Sequence, residues 1–279
     1  MRLGEIEVHL LGDGTFRLDG GAMFGVIPKP LWEKRAPSDD RNRILLGMNI
    51  LLIKAAGKRI LVETGAGDKW SPKLREIYAI EESHRLPEQL AAAGVPPESV
   101  DIVINTHLHF DHCGWNTRVV DGRPVSTFPN ARYIVQRGEF DHAMMPTERD
   151  RASYFADNFV PIQQSGQWEF LEGDAQILPG IEVFVVQGHI MHMQCVKLTG
   201  GAKTIFFLAD LVPTSAHLPF PWIMGYDLYP MLTLENKHKW LPRAAREGWT
   251  VVFGHDPRIP AAKIHEQKGG FEIEPVTID

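Results

Sequence analysis

Apolar and polar positions first alternate at Ile6, Val8 and Leu10, the period of a half-buried strand. Gly12-Asp13-Gly14 reads as a turn. Residues 16–37, broken by Gly20, Gly21, Gly25, Pro28 and Pro30, read as a long irregular loop carrying Met23, Phe24, Leu31 and Trp32. A loop of that length serves either as a functional cover or as core packing. The apolar run 43–54 predicts a strand, which Ala55-Ala56-Gly57-Lys58 turns back into a second strand over 59–63. A short helix is expected over 87–93, closed by Gly94, and a buried strand over 100–105. A strand at 132–136 and helical stretches at 139–145 and 154–159 follow. From Trp168 the pattern returns to strands at 181–187, 193–198 and 204–209, then a helix at 230–247 and a last core strand at 250–253. These elements fall into two comparable groups, before and after about residue 163. No linker of disordered composition separates them and no solenoid-type repeat is present. We therefore expect one compact α/β unit spanning residues 1–279.

Composition narrows the function classes. With 279 residues and 44% hydrophobic content the chain can bury a large core. The net charge is −6 and no long basic run occurs, so the electrostatic footprint of a nucleic-acid binder is missing. Two cysteines, Cys113 and Cys195, do not make a disulfide scaffold and favour a reducing compartment. The first residues enter a strand pattern directly, without an apolar leader, and no apolar stretch reaches transmembrane length. A soluble, cytoplasmic protein without a membrane partner is the expectation.

The chemistry is concentrated in Thr106-His107-Leu108-His109-Phe110-Asp111-His112-Cys113-Gly114, directly after the strand at 100–105. Four metal-competent N/O side chains lie within six residues, a donor set that suits zinc, iron or manganese. In an extended backbone side chains alternate faces, so His107, His109 and Asp111 project to one side and His112 elsewhere. The two histidines can bite one ion, and the Asp–His pair a second one nearby. A packed core does not bury four such groups unpaired. Three further residues, His189, Asp210 and His255, also end apolar strands. Strand ends of a layered α/β fold converge on one edge, so five His and two Asp can meet there. His192 competes with His189, and His217 and His265 compete with His255. Ligation by Cys113 is disfavoured against a buried thiol. His9, His84, His142 and His238 have no such context.

The His-x-His-x-Asp-His motif, read with His189, Asp210 and His255, resembles the signature of the metallo-β-lactamase superfamily over roughly residues 43–257. The resemblance implies a four-layer αββα sandwich of two similar halves. It also implies an allocation: His107, His109 and His189 on a first metal, Asp111, His112 and His255 on a second, and Asp210 bridging both. Two divalent ions are then expected, zinc first, with Fe, Mn or Co as alternatives. A water between them would be available as hydroxide near neutral pH, because zinc lowers the pKa of bound water from 15.7 to about 7. Asp111 is the candidate to carry the proton to the leaving group. Redox relatives resembling this fold carry Glu where this chain has His109, which argues for hydrolysis.

Within the superfamily the chain is similar to the lactonase and organophosphate-hydrolase branch, on the motif above and on Gly20-Gly21-Ala22-Met23-Phe24-Gly25. The implied substrate is a lactone or other small-molecule ester, with phosphotriesters as a side activity. A glyoxalase II-like thioester hydrolase is the alternative, and a homodimer is expected because relatives often are. Lactonases of this type often have Tyr three residues after the bridging Asp. Pro213 stands there, leaving Tyr226 or Tyr229 to reach in. Gly188-His189-Ile190-Met191-His192 lacks the second glycine of the usual pattern. Glu63 replaces an Asp in Leu-Val-Asp-Thr-Gly and is either a support for the metal loop or a structural carboxylate. Met23, Phe24, Trp115, His192, Phe220 and Trp222 are the candidate lining of a substrate pocket.

Overall fold

The computed structural model describes residues 1–81 and 85–279. His84 therefore lies outside the described residues. β1 (Arg2–Leu3) pairs with the long β2 (Ile6–Asp19), which continues into α1 (Gly20–Phe24) and α2 (Lys29–Trp32). β3 (Arg43–Ala55) and β4 (Lys58–Val62) form the hairpin read from the sequence. α3 (Pro72–Tyr78) and α4 (Leu86–Ala92) lead to β5 (Ile102–Ile104). After it come α5 (Phe110–Cys113), the hairpin β6 (Thr117–Val120) and β7 (Arg123–Ser126), β8 (Arg132–Gln136), α6 (Arg137–Met144), α7 (Val160–Gln164) and β9 (Trp168–Leu171). The second half runs β10 (Ala175–Leu178), β11 (Ile181–Val185), β12 (Gln194–Gly200), β13 (Lys203–Phe207), α8 (Pro230–Arg246), β14 (Thr250–Val252), β15 (Ala261–Gln267) and β16 (Gly270–Pro275).

Among the described residues two seven-stranded sheets form, ordered β1-β2-β3-β4-β5-β8-β9 and β10 through β16 in sequence, with β6-β7 as a separate two-stranded ribbon. Their faces are assigned by the period of two along each strand. Leu51 and Ile53 of β3 join Ile205 and Phe207 of β13 in the core between the sheets. Ile50 and Leu52 point the other way, onto Leu86 and Leu90 of α4 and Ile162 of α7. On the far side, Phe206 of β13 meets Trp240 of α8 with ring centroids 4.9 Å apart. The layers are therefore αββα. A one-residue slip of β3 would exchange its two apolar sets between faces that are both filled. Each fully buried aliphatic side chain stabilises by roughly 1.5–3 kcal/mol, so packing on both faces fixes the register.

The pairing within each sheet aims the site. β4, β5 and β8 are parallel, as are β13 and β14. Their C-terminal ends meet at one edge, where Glu63, His107, Asp210 and His255 follow their strands.

Three local expectations change. Gly12-Asp13-Gly14 is a bulge rather than a turn: Asp13 and Gly14 together face Met48, between the pairs Gly12–Asn49 and Thr15–Gly47. Asp13 is buried there and accepts from Ala66 N, Gly67 N, Arg85 Nε, Leu86 N and Trp115 Nε1, tying β2 to the Gly-rich loop after β4. The supposed loop 16–37 is largely β2, α1 and α2. The helix expected at 154–159 is a single 3-10 turn, Ala156–Asn158; the α-helix starts at Val160, with Pro161 in its first turn where no amide is needed.

Candidate metal centre

The strand β5 ends at Ile104, and an irregular segment, residues 105–109, follows before α5 begins at Phe110, with His109 in an extended conformation. His109 is the residue before the helix, so Asp111 and His112 sit in its first turn and point back beside the two preceding histidines. The loop after β4 clamps this segment. Gly114 N donates to Gly65 O at 2.6 Å and Thr64 N to His112 O at 2.8 Å. A Cβ at Gly114 would collide with the backbone of Ala66 and Gly67, so only glycine permits this approach.

The structure gathers all seven residues in one buried cluster. Nδ1 of His109 lies 3.1 Å from Nε2 of His107 and 3.1 Å from Nε2 of His189. The donor atoms of Asp111, His112 and His255 form a second close set, and Nε2 of His255 and of His112 are 3.0 Å apart. Asp210 lies between the sets: Oδ1 is 3.1 Å from His255 Nε2 and 3.6 Å from His112 Nε2, and Oδ2 is 3.4 Å from His189 Nε2.

Three of the other imidazole nitrogens, those of His255, His189 and His107, are held from behind, whereas the buried Nε2 of His109 has no hydrogen-bond partner among the described residues. His255 Nδ1 donates to Gly47 O at 2.9 Å. His189 Nδ1 lies 3.0 Å from Asp227 Oδ1, whose second oxygen accepts from Thr233 Oγ1 at 2.6 Å. His107 Nδ1 is 2.9 Å from Thr106 Oγ1. These bonds select tautomers with lone pairs on the inward nitrogens. Burial, and then the neighbouring imidazoles, hold His107 and His109 well below the ordinary histidine value, so both are neutral. Burial opposes charge on His112 as well, but Asp111 and Asp210 outweigh it and draw positive charge into that half. Three converging lone pairs cannot satisfy one another, and Oδ1 of Asp210 has no hydrogen-bond partner among the described residues. A cation-accepting donor set is the chemistry these groups fit.

Glu63 touches both the backbone of the motif loop and His112. Its Oε1 accepts from Thr106 N at 3.0 Å and lies 3.6 Å from His112 Nδ1. Its φ of 71° places it in the left-handed region, strain that a non-glycine residue carries only where its surroundings enforce it.

The competing residues sit elsewhere. The ring of His192 lies over Gly138, where a Cβ would run into it, and lines a separate small cavity with Glu139, His142 and Tyr229. His217 bonds Met23 O and Thr214. His265 pairs with Glu274 at the surface. Cys113 is buried, its thiol donating to the carbonyls of Leu108 and His109.

A cavity of about 360 Å³ opens over the cluster. His109, Asp111, His189, Asp210 and His255 form its floor. Leu18, Met23, Leu46, Phe110, Met224 and Leu228 line its walls, with Tyr78, Arg149 and Tyr226 among the polar lining residues. Of the pocket residues expected from the sequence, only Met23 lines it. Phe24 is sandwiched between Trp32 and His217, with centroids 5.2 and 4.5 Å away. Trp115 is drawn into the first-half core by the 2.7 Å bond from Nε1 to Asp13. Phe220 stacks on His238 at 3.9 Å, and Trp222 lies edge-on to Phe24 beneath Arg35. Hydrophobicity marks all of these as buried, but not on which side of the loop. Asp227, Tyr78 and Arg149 carry no local sequence signal. Of the two tyrosines considered for the place of Pro213, Tyr226 reaches the cavity, while Tyr229 lines the small cavity around His192.

Comparison with known proteins sets this geometry in a family. The profile described as "Metallo-beta-lactamase superfamily" matches residues 44–255, from β3 to the last histidine of the cluster. The chain belongs to the metallo-beta-lactamase superfamily. Its αββα layers are the metallo-beta-lactamase fold. The N-acyl homoserine lactonase AttM of Rhizobium johnstonii is 27% identical over 270 residues, 91% of this chain and 94% of that one. A crystal structure of a probable metal-dependent hydrolase from Staphylococcus aureus superposes with a TM-score of 0.91 at 28% identity, covering 99% of both chains. The dizinc quorum-quenching lactonase AidC, solved with a product N-acyl homoserine, shares the fold at a TM-score of 0.81 and 21% identity, covering 100% of this chain and 97% of that one. Among the described residues, no helix of this superfamily member is long and apolar enough to cross a membrane.

Proposed function

We propose that the protein is a binuclear metal-dependent hydrolase that opens a lactone or other carboxylic ester. One observation carries this reading. Two sets of three buried donors share one unpartnered carboxylate, Asp210, at the floor of a largely apolar cavity. His107, His109 and His189 would hold one ion, Asp111, His112 and His255 the other, and Asp210 both. Zinc suits these N/O donors, with Fe, Mn or Co as alternatives. Two such ions supply Lewis acidity and a water ionised near neutral pH. The kinship with N-acyl homoserine lactonases supports an ester of the lactone kind.

The chain's own groups divide the remaining work. Water adds to the acyl carbon, the acyl C–O bond breaks, and the leaving oxygen takes up a proton. Asp111 lines the cavity with Oδ2 3.6 Å from His255 Nε2, which supports assigning it the transfer of that proton. The Tyr226 hydroxyl, pushed above its ordinary pKa by burial, stays protonated and donates to a substrate oxygen. Asp227 holds His189 in orientation. The apolar walls accept a hydrocarbon chain and keep water from the rest of the substrate.

The test is metal analysis joined to a panel of lactones, aryl esters, phosphotriesters and glutathione thioesters. Two metals per chain with fastest turnover on lactones is the expected result. One iron per chain with oxygen consumption sinks the reading. Preferred cleavage of glutathione thioesters moves it to the glyoxalase II-like alternative. Full activity in Asp210→Asn refutes the shared-carboxylate assignment.

A further inference from the structure

A second concave site lies away from the cavity over the metal cluster. It is a groove of about 510 Å³ lined by Arg17, Arg35, Leu45, Ser215, Asp256 and Arg258, among others. The chain as a whole carries a net charge of −6, yet three arginines, Arg17, Arg35 and Arg258, border this groove. None of the three forms an ion pair among the described residues. Arg17 Nη1 donates to Arg43 O at 3.4 Å, Arg258 Nη2 to Arg35 O at 3.3 Å, and the Arg35 guanidinium lies 4.6 Å from the centroid of the Trp222 ring. Each arginine is thus held in place through backbone or ring contacts that leave most of its donors free.

The one carboxylate lining the groove is spent on the backbone. Asp256 is buried; its Oδ2 accepts from Ser215 N at 2.8 Å, and its Oδ1 from Arg258 N at 2.9 Å and Ile259 N at 2.8 Å. Those bonds turn it into the protein rather than toward the guanidinium groups. The Ser215 hydroxyl, also in the lining, has no hydrogen-bond partner among the described residues. Three arginines against one inward-turned carboxylate leave an excess of positive charge around the groove, which an anion with several oxygens would offset. Guanidinium forks bind such groups by paired, charge-assisted hydrogen bonds.

We propose that this groove is a binding site for a multi-oxygen anion, a phosphate or carboxylate group of a small molecule, with Arg17, Arg35, Arg258 and the Ser215 hydroxyl as its donors. It is separate from the substrate cavity but joined to the metal cluster by the chain itself. Ser215 follows Asp210 by five residues, and Asp256 is next to His255. An anion seated there bears on the two loops that deliver Asp210 and His255.

Isothermal titration of the metal-loaded protein with inorganic phosphate, at ionic strength fixed with chloride, tests this; glutarate in parallel separates a phosphate from a carboxylate source. One saturable site per chain is expected. Arg35→Ala and Arg258→Gln should each weaken it about tenfold or more, the loss of one charge-assisted contact. Arg243→Ala, on the outer surface of α8, should leave it unchanged, and unaltered thermal melts exclude misfolding. Because phosphate also binds divalent metals, the titration is repeated on Asp210→Asn, where the site should persist. Heat that survives the arginine changes but vanishes in Asp210→Asn places the anion at the metal cluster and overturns the proposal. Absence of saturable heat with both anions overturns it as well. So does a dimer, seen by sedimentation, that Arg35→Ala dissociates while neither anion binds, since the groove then belongs to a second copy of the chain.

Discussion

Nδ1 of His189 lies 3.0 Å from Oδ1 of Asp227, a carboxylate 38 residues further along the chain. Asp227 is buried, and Thr233 Oγ1 fixes its other oxygen, so the imidazole is locked with Nε2 facing His107, His109 and Asp210. Supports of this kind are worth about 10–100-fold in metal affinity or activity. Asp227→Asn is expected to weaken metal retention by that order, measured by competition with a chromogenic chelator. Retention equal to the wild type would assign Asp227 to packing alone.

Arg149 lines the cavity and donates from Nη2 to Gly225 O at 2.7 Å, linking the segment after α6 to the one carrying Met224 and Tyr226. Most of its donors stay free for an acceptor oxygen on the substrate. Arg149→Ala is expected to raise KM for an N-acyl lactone about tenfold while kcat changes less than about twofold, the signature of lost uniform binding. A simple lactone without the amide should show no such rise. Equal effects on both substrates would contradict the assignment.

His217 couples the cavity wall to pH. Its Nε2 donates to Met23 O at 2.9 Å, its Nδ1 meets Thr214 Oγ1 at 2.8 Å, and its ring stacks on Phe24. Burial pushes its pKa from 6.5 down to about 4. The folded state therefore binds fewer protons than the unfolded state between those values. The stability His217 provides is complete above pH 6.5 and is lost as pH falls toward 4, by up to about 1.4 kcal/mol per pH unit. Urea midpoints measured across that window should fall more steeply for the wild type than for His217→Gln. Parallel slopes would show that His217 is not the group responsible.

Gly114 is fixed by contact rather than by backbone angle. With its Cα against Ala66 and Gly67, an added methyl forces the two loops apart. Gly114→Ala should destabilise by about 1–3 kcal/mol, as overpacking does, and should disturb the neighbouring His112. Thermal melts and metal content report the two effects separately; an unchanged melt would mean that the loops yield freely.

The elements written into local pattern were legible: the β3–β4 hairpin, β5, β8, β11 to β14 and α8 stand within a few residues of where periodicity puts them. So was the convergence of the seven His and Asp side chains, because they follow apolar strands and the fold brings such ends together. What local pattern could not show was partnership across the chain. Gly12-Asp13-Gly14 has the composition of a turn, but the five donors converging on Asp13 come from residues 66–115 and make it the fastening of a bulge. Trp115 directly follows the metal motif, and its indole is still carried away from the cavity by that same carboxylate. Asp227 has no neighbour in sequence to betray it. The β15–β16 hairpin is hidden in the sequence because its exposed face is polar, with Lys263, His265 and Glu266 masking the alternation.

The cluster straddles the join between the two halves. His107, His109, Asp111 and His112 come from the first, and His189, Asp210 and His255 from the second. Neither half holds three donors of one set together with the shared carboxylate. An ion that needs three donors of one set and the shared carboxylate would therefore find them assembled only once the two halves have docked, and the nascent first half alone would offer it no finished site.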